Sequence, residues 1–472
     1  MITPKIIQGG MGVYISDPFL AKTVSMTDVG MGTVSGVLAG KVLARILERG
    51  DPGGHYRRTL AHFPFPEKAE KVLATYYVAG GISSKTKFKS VPMFDFDSSE
   101  LLISLEICAN FALVWLAKEG HNNPVSINYL EKIQIPLIYA LMGAMLAGVD
   151  CVTMGAGVPL QIPGILDRLT LWKDVSYRVD VIGGDSYSLN FDPKKFFGQS
   201  VFGLNRPDFL PIISSNLLAK LFHKLNKKIP GSVQGFIVEG PTAGGHNAPA
   251  RKVEGKIILD DFGQPVYGNK DKVDFSELSC LGIPFWIAGS KASPEALAEA
   301  LALGAVGIQV GTIFALSRES NMDNVLKQIA KRSGYLGDIH VFTSLLASPS
   351  GFPFKVANVQ GTLSDDDIYR KRIRICDQGC LRTPYYKSDG TIGFRCSAEN
   401  VDQYIRKGGK LEDTARRCCL GNALFATASL GNPKEPAIVT LGDDVSFLRY
   451  LMSNENDIYC VTDVMEYLLG SG

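Results

Sequence analysis

The chain has almost no excess charge: 49 Lys and Arg stand against 47 Asp and Glu over 472 residues, a net of +2. A balance that close gives no electrostatic footing for nucleic acid, whose recognition draws on clustered positive charge. Long apolar runs are also missing. The most apolar segment, Ile135 to Val149, is broken by Pro136 and Gly143 and stops at Asp150, short of the roughly 20 residues that a membrane-spanning helix needs. The opening MITPKIIQGG has neither a basic start nor an apolar core, so no secretory leader is read there. No GxGxxG opens the chain, which removes the main mark of a doubly wound dinucleotide fold. Nine cysteines, an odd number scattered over a large chain, suit reduced thiols better than a disulfide framework. Five of them, Cys376, Cys380, Cys396, Cys418 and Cys419, fall near one another, but a CxxxC, a lone Cys and a CC match no standard zinc or cluster spacing, so no metal is expected. The expectation is a cytoplasmic protein with no nucleic-acid and no membrane partner.

What the chain does have is glycine, 49 residues of it, placed after short apolar runs. Runs near residues 6, 33, 127, 152, 211, 237, 286 and 308 each end in Gly or Ser and are followed, most of them directly, by helix-patterned stretches. Strand, glycine turn and helix, repeated eight times within about 315 residues, is the pattern of a (β/α)₈ TIM barrel, an α/β fold whose chemistry sits at the C-terminal ends of the strands. Helices are read over Gly36–Arg49, Glu67–Tyr77, Leu137–Ala147, Pro163–Trp172 and Ser215–Lys228, the last with Leu217, Leu218, Leu221 and Leu225 as its apolar stripe. Leu101–Ala117 reads as strand or helix, and Tyr177–Phe191 as a hairpin about Gly183, Gly184 and Asp185. The barrel is assigned residues 1–320, with insertions at about 52–102, 173–206 and 248–275. Residues 321–472 form a mainly helical C-terminal extension covering it, with charged helices over Leu363–Arg374 and Asp413–Ala426 and an irregular SPSGFPFK at Ser348–Lys355.

The stretch richest in chemistry is FIVEGPTAGGHN, Phe236 to Asn247. A short buried strand runs into Gly240, Pro241, Gly244 and Gly245, which cannot extend it and which expose backbone N–H groups to a flat or anionic ligand. His246 follows at once, the side chain best suited to proton transfer near neutral pH. His55, in GDPGGHYRR, reads as a helix C-cap beside a solvated basic face, and His121, just ahead of the third strand, as structural.

QGGMG, PVSINYL, CVTMGAG, EGPTAGGHN and PFWIAGS with ALALGAVGIQVGTIFALSRES occur in that order between Met1 and Ser320. This ordered set resembles the motifs of the nitronate monooxygenase (2-nitropropane dioxygenase) family, and the flavin-dependent enoyl-acyl-carrier-protein reductases share most of them. The C-terminal part, with SPSGFPFK and KGGKLEDTARRCCLGNAL, is similar to a longer branch grouped with the enoyl reductases of polyunsaturated fatty-acid and polyketide assembly.

The resemblance implies FMN as cofactor. Its phosphate would rest on Ala288, Gly289, Ser290, Gly311 and Thr312 with help from Gln309, and its ring would lie over Gly10 and Met11. Asn128 would bond the pyrimidine edge, Ala243, Gly244 and Gly245 would pass close by, and His246 would be the catalytic base beside the reactive ring nitrogen. The implied reaction is oxidation of an alkyl nitronate with O2. The alternatives are an enoyl thioester reductase drawing on NAD(P)H and a non-catalytic flavin-binding accessory protein, and a homodimer is compatible with any of them. Thr242, Asn247 and the Gly289-Ser290-Lys291-Ala292 run depart from the usual family residues; Lys291 would add a positive charge at the phosphate.

Overall fold

The computed structural model describes residues 3–201 and 203–470. Met1, Ile2, Phe202, Ser471 and Gly472 lie outside the described residues, and with them the outer ends of the barrel and extension assignments and one residue of the second insertion.

Eight parallel strands close into a barrel. In chain order they are Ile6–Gln8, Gly30–Ser35, Val125–Leu130, Cys151–Gly155, Asp208–Ile213, Phe236–Glu239, Phe285–Ala288 and Gly307–Val310. Closure is made by the first strand, which pairs with the eighth (Ile6 opposite Ile308) and with the second (Ile6 opposite Gly30). Strand side chains alternate between two packed layers, as a two-residue period requires. Ile7, Met31, Cys151, Leu210, Ile237 and Trp286 fill the barrel interior, while Ile6, Val152, Phe209, Phe236, Phe285 and Ile308 join the large core toward the helices. The Trp286 indole N–H donates to Pro4 O at 2.7 Å, so the largest interior side chain keeps a partner for its one polar atom.

The ambiguous stretch is a helix, Glu100–Lys118, started by the Ser99 hydroxyl accepting from Leu102 N. It is longer than the apolar helix within Ile135–Val149 and by length and composition apolar enough to span a membrane, but 78% of its apolar window is buried in the protein. It packs against Pro18–Ser25, Ala39–Glu48, Pro66–Tyr76 and Leu137–Leu146; a helix apolar on nearly every side is a core helix when other helices surround it.

One local reading changes and a second is extended. In the helix Asn216–Lys228 the buried residues are Ala219 and Phe222, whereas Leu217 is 71% exposed and Leu221 points outward with it; four leucines at helical spacing did not distinguish the face that meets the barrel. His55 caps the end of the short 3-10 turn Pro52–Gly54 and also opens a helix, His55–Leu60, where the Asp51 carboxylate takes the N–H groups of Tyr56 and Arg57. His121 sits where expected, with its ring on Ala117 O and Asn123 N.

The residues after 320 hold short helices and also two antiparallel hairpins, Val341–Ser344 with Phe354–Ala357 and Thr383–Tyr386 with Ile392–Arg395. The second turns at Asp389-Gly390, with Gly390 at φ 79°, a hairpin signal present in the sequence. The helix expected over 363–374 is confined to Asp366–Lys371, and the one expected over 413–426 starts only at Leu420. Arg416 at φ 56° interrupts the second, because a left-handed residue ends the helical hydrogen-bond ladder.

Candidate active site

All eight strand ends deliver residues to one cavity of about 240 Å³. Gly10, Met11, Asn128, Ala243, Gly244, Gly245, His246, Ala288, Gly289, Ser290, Gln309, Gly311 and Thr312 all line it. Residues from beyond position 320 complete the wall, among them Phe354, Leu420, Leu424, Leu441 and Asp444.

The floor depends on a missing side chain. A Cβ on Gly10 would lie 2.2 Å from the Asn128 Cβ, so only glycine lets the first strand's turn pass over the third. Asn128 itself donates to Thr153 Oγ1 at 2.9 Å. Gln8 ties the same turn to the second strand, giving its amide hydrogens to Ser16 and Thr33 O and accepting from Thr33 N.

At the other end, the loops after strands seven and eight hold two buried polar atoms with no hydrogen-bond partner, Ser290 Oγ and Gln309 Nε2. Ser290 is in the left-handed region at φ 47°, after Gly289 at φ 97°. Buried donors without partners are costly, and their convergence on a cavity marks a place for an anionic oxygen-rich group. The Thr312 hydroxyl accepts from Gly442 N at 2.8 Å and still has its hydrogen to give. Lys291 differs from expectation: it lines the cavity, but its ammonium is paired with Glu299 at 2.7 Å, so it brings no uncompensated charge. The donor set therefore fits a flavin phosphate by hydroxyl, amide and backbone N–H groups rather than by net charge.

His246 sits between the barrel and the segment that follows it. Its Nε2 is 2.6 Å from Ser348 Oγ, its ring meets the Phe354 ring edge-on at 5.0 Å, and its backbone forms an antiparallel bridge with Phe354. Burial pushes the imidazole down to about 4, so the neutral ring is the form the cavity presents. The imidazolium is thus the disfavoured species.

Two functional features escaped the sequence reading. Ser348 sits in a segment read only as irregular, 102 residues from His246. Glu239 was read as the last residue of a strand, yet its carboxyl lines the cavity without a hydrogen-bond or ion-pair partner among the described residues, and burial raises it to about 8. A raised carboxyl is protonated in the folded state and ionised in the unfolded one between those two values, so folding stability falls as pH rises from about 4.5 to about 8. A Glu239→Gln variant of the flavin-free protein is accordingly expected to gain roughly 4 kcal/mol at pH 8 and almost nothing at pH 4.5. Urea midpoints at the two pH values check this; equal gains at both would show that Glu239 is not protonated.

Contacts from beyond residue 320 fix the His246 loop. Lys355 N donates to Gly245 O, Asn247 N to Pro353 O, Gly245 N to Thr440 Oγ1 and Asp443 N to Thr242 O, all within 3.1 Å. Gly244 is needed there because a Cβ would come within 2.9 Å of Leu441 C. Among the described residues no group of three His, Cys, Asp or Glu is placed to hold a metal ion, and all nine cysteines are free.

Residues 210–349 match the nitronate monooxygenase family model. The match covers less than half of the chain; it runs from strand five to beyond strand eight and takes in Glu239, the glycine loop with His246, Ser290, Gln309, Thr312 and Ser348. The comparison with curated proteins finds no match. Among solved structures, FabK from Thermotoga maritima aligns at 16% identity over 100% of this chain and 93% of its own, with a TM-score of 0.49. A nitroalkane oxidase from Streptomyces ansochromogenes aligns at 14% identity over 99% and 95%, with a TM-score of 0.47. The enoyl reductase domain of MlnA from the macrolactin biosynthesis cluster of Bacillus amyloliquefaciens aligns at 12% over 100% and 94%, with a TM-score of 0.47. The barrel assignment stands on the strand order itself.

Proposed function

We propose that the protein is an FMN-dependent oxidoreductase of the nitronate monooxygenase type, acting on small alkyl nitronates and nitroalkanes with O2. The observation that carries this reading is one cavity in which a neutral, half-buried His246 faces the same space as the unpaired donors Ser290 Oγ and Gln309 Nε2. FMN, when bound, supplies the electron transfer that no side chain can perform. Ser290, Gln309, Thr312 and the Ala288–Gly289 backbone would hold its phosphate; Gly10 and Met11 would support its ring, and Asn128 would bond its polar edge.

The chain's own part in the chemistry falls to His246. A neutral imidazole takes the proton α to the nitro group, and the apolar walls from Phe354, Leu420, Leu424 and Leu441 keep water away from the carbanion that remains. Glu239, held protonated, offers the cavity a hydrogen-bond donor instead of a repelling anion.

An anaerobic titration tests the proposal. The purified protein is expected to be yellow, to bleach with a small nitronate and to recover its colour in air. Bleaching by NADPH, with recovery only on addition of an enoyl thioester, would replace this reading with that of a reductase.

A further inference from the structure

Ser348 Oγ has three neighbours: His246 Nε2 at 2.6 Å, Ser350 Oγ at 2.7 Å and Ser350 N at 3.2 Å. A hydroxyl has one hydrogen to give and two lone pairs to accept with. The Ser350 N–H has no acceptor role, so it takes one lone pair of Ser348. Two arrangements of the remaining hydrogens satisfy every atom. In one, His246 Nε2–H donates to Ser348, Ser348 donates to Ser350, and Nδ1 is left with a free lone pair. In the other, Ser350 donates to Ser348, Ser348 donates to His246 Nε2, and Nδ1 carries the hydrogen. The first state is a base toward the cavity and the second an acid, and the imidazole is neutral in both.

We infer that Ser348 and Ser350 form a proton relay that lets His246 exchange protons between the cavity and solvent without becoming a cation. The inference rests on the proposed role of His246 as proton acceptor. In the step, the substrate's α C–H bond breaks and Nδ1–H forms. Nε2–H breaks as its proton passes to Ser348 Oγ; the Ser348 proton passes to Ser350 Oγ, and the Ser350 proton leaves to water. The products are a nitronate and a solvated proton, with nothing oxidised or reduced.

The placement suits this path. Ser348 is fully buried whereas Ser350 is half-buried, so the chain leads outward. Phe352 N donates to Ser350 Oγ at 3.3 Å, leaving that hydroxyl's own hydrogen for solvent. Arg417 fixes Ser348 by donating to its carbonyl at 2.5 Å. The charged groups around the ring are Glu239, Asp444 and the Glu299-paired Lys291 in the cavity wall, the Lys355–Asp443 pair on the neighbouring strand and strap, and Arg417 behind Ser348; among the described residues none of them hydrogen-bonds the imidazole, so Ser348 is the route for a displaced proton. Burial, which holds the imidazolium out of the neutral range, is what makes such a route necessary.

Ser348 and Ser350 are positioning residues, and the test uses the flavin-loaded enzyme with Ser348→Ala, Ser350→Ala, Ser348→Thr and His246→Ala. Nitrogen-15 NMR of the His246 ring between pH 6 and 8 is expected to show a neutral ring populating both tautomers in the wild type and a single one in Ser348→Ala. Anaerobic bleaching by a neutral nitroalkane is expected to slow about tenfold or more in both alanine variants, with loss of the multi-proton solvent isotope effect and recovery in Ser348→Thr. Ser350 lies at the outer end, so its variant keeps the test open where Ser348→Ala fails to fold. A charged ring or one fixed tautomer in the wild type, or a Ser350→Ala variant with unchanged rate and isotope effect, overturns the relay. The parent reading fails separately, by full activity of His246→Ala.

Discussion

Replacing His246 with alanine is expected to lower turnover with a nitroalkane by about 10²–10⁴-fold, the usual contribution of a positioned proton acceptor, while the protein stays yellow. Flavin is retained because most of the groups assigned to it lie on other strands and loops: Ser290 after strand seven, Gln309 in strand eight, Gly10 after strand one and Asn128 in strand three, while the neighbouring Ala243–Gly245 would contribute backbone only. The nearest packing partner, Phe354, loses one edge contact at 5.0 Å but keeps its backbone bridge. The pH dependence carries the same information with a definite sign. Burial depresses the imidazole to about 4, so the neutral, proton-accepting form persists from pH 8 down to about 5 and is lost only on further acidification. Steady-state rates from pH 4 to 8 check it. A limb centred near 6.5, the ordinary histidine value, would mean that the ring is more hydrated than the structure shows, and undiminished turnover in the alanine variant would remove His246 from the chemistry.

Removing Asp443 is expected to cost about 3–5 kcal/mol, the range for a buried charge left without its partner. Both Asp443 oxygens lie within 2.8 Å of Lys355 Nζ, and the Lys355 side chain is only 4% exposed against 36% for Asp443. The asymmetry decides which half of the pair matters more. Without Asp443 the ammonium stays buried and unpaired; without Lys355 the carboxylate can turn to water. Asp443→Ala should therefore lower the urea midpoint clearly more than Lys355→Met. The effect should reach the site, since Asp443 N holds Thr242 O and the preceding Gly442 N holds the Thr312 hydroxyl. Equal and small losses in the two variants would show that the pair is solvated and contributes little.

Much of the barrel was legible because its signals are local. Each strand is a short apolar run that stops at Gly or Ser, and the stops stand at the catalytic end for a reason visible in the sequence: Gly10 and Gly244 are positions where a neighbouring chain segment comes too close for a Cβ. The hairpin at Val175–Val179 and Tyr187–Phe191 was legible from its turn. Helix faces were less so, as Leu217 and Leu221 show, since a leucine-rich helix offers more than one apolar side and only packing selects among them. The segment after residue 320 was read least well. Its strands are four residues long and pair antiparallel across turns that carry no long periodic pattern.

By itself, the sequence determined the order of strand, turn and helix, the glycines that keep the strand ends open, and the presence of one histidine beside them. Only the tertiary structure decided the chemistry of that histidine. Its contact with Ser348 spans 102 residues, its low proton affinity comes from burial by segments far along the chain, and the protonated state of Glu239 has the same origin. Desolvation depends on everything that surrounds a group, and no local pattern of residues encodes it.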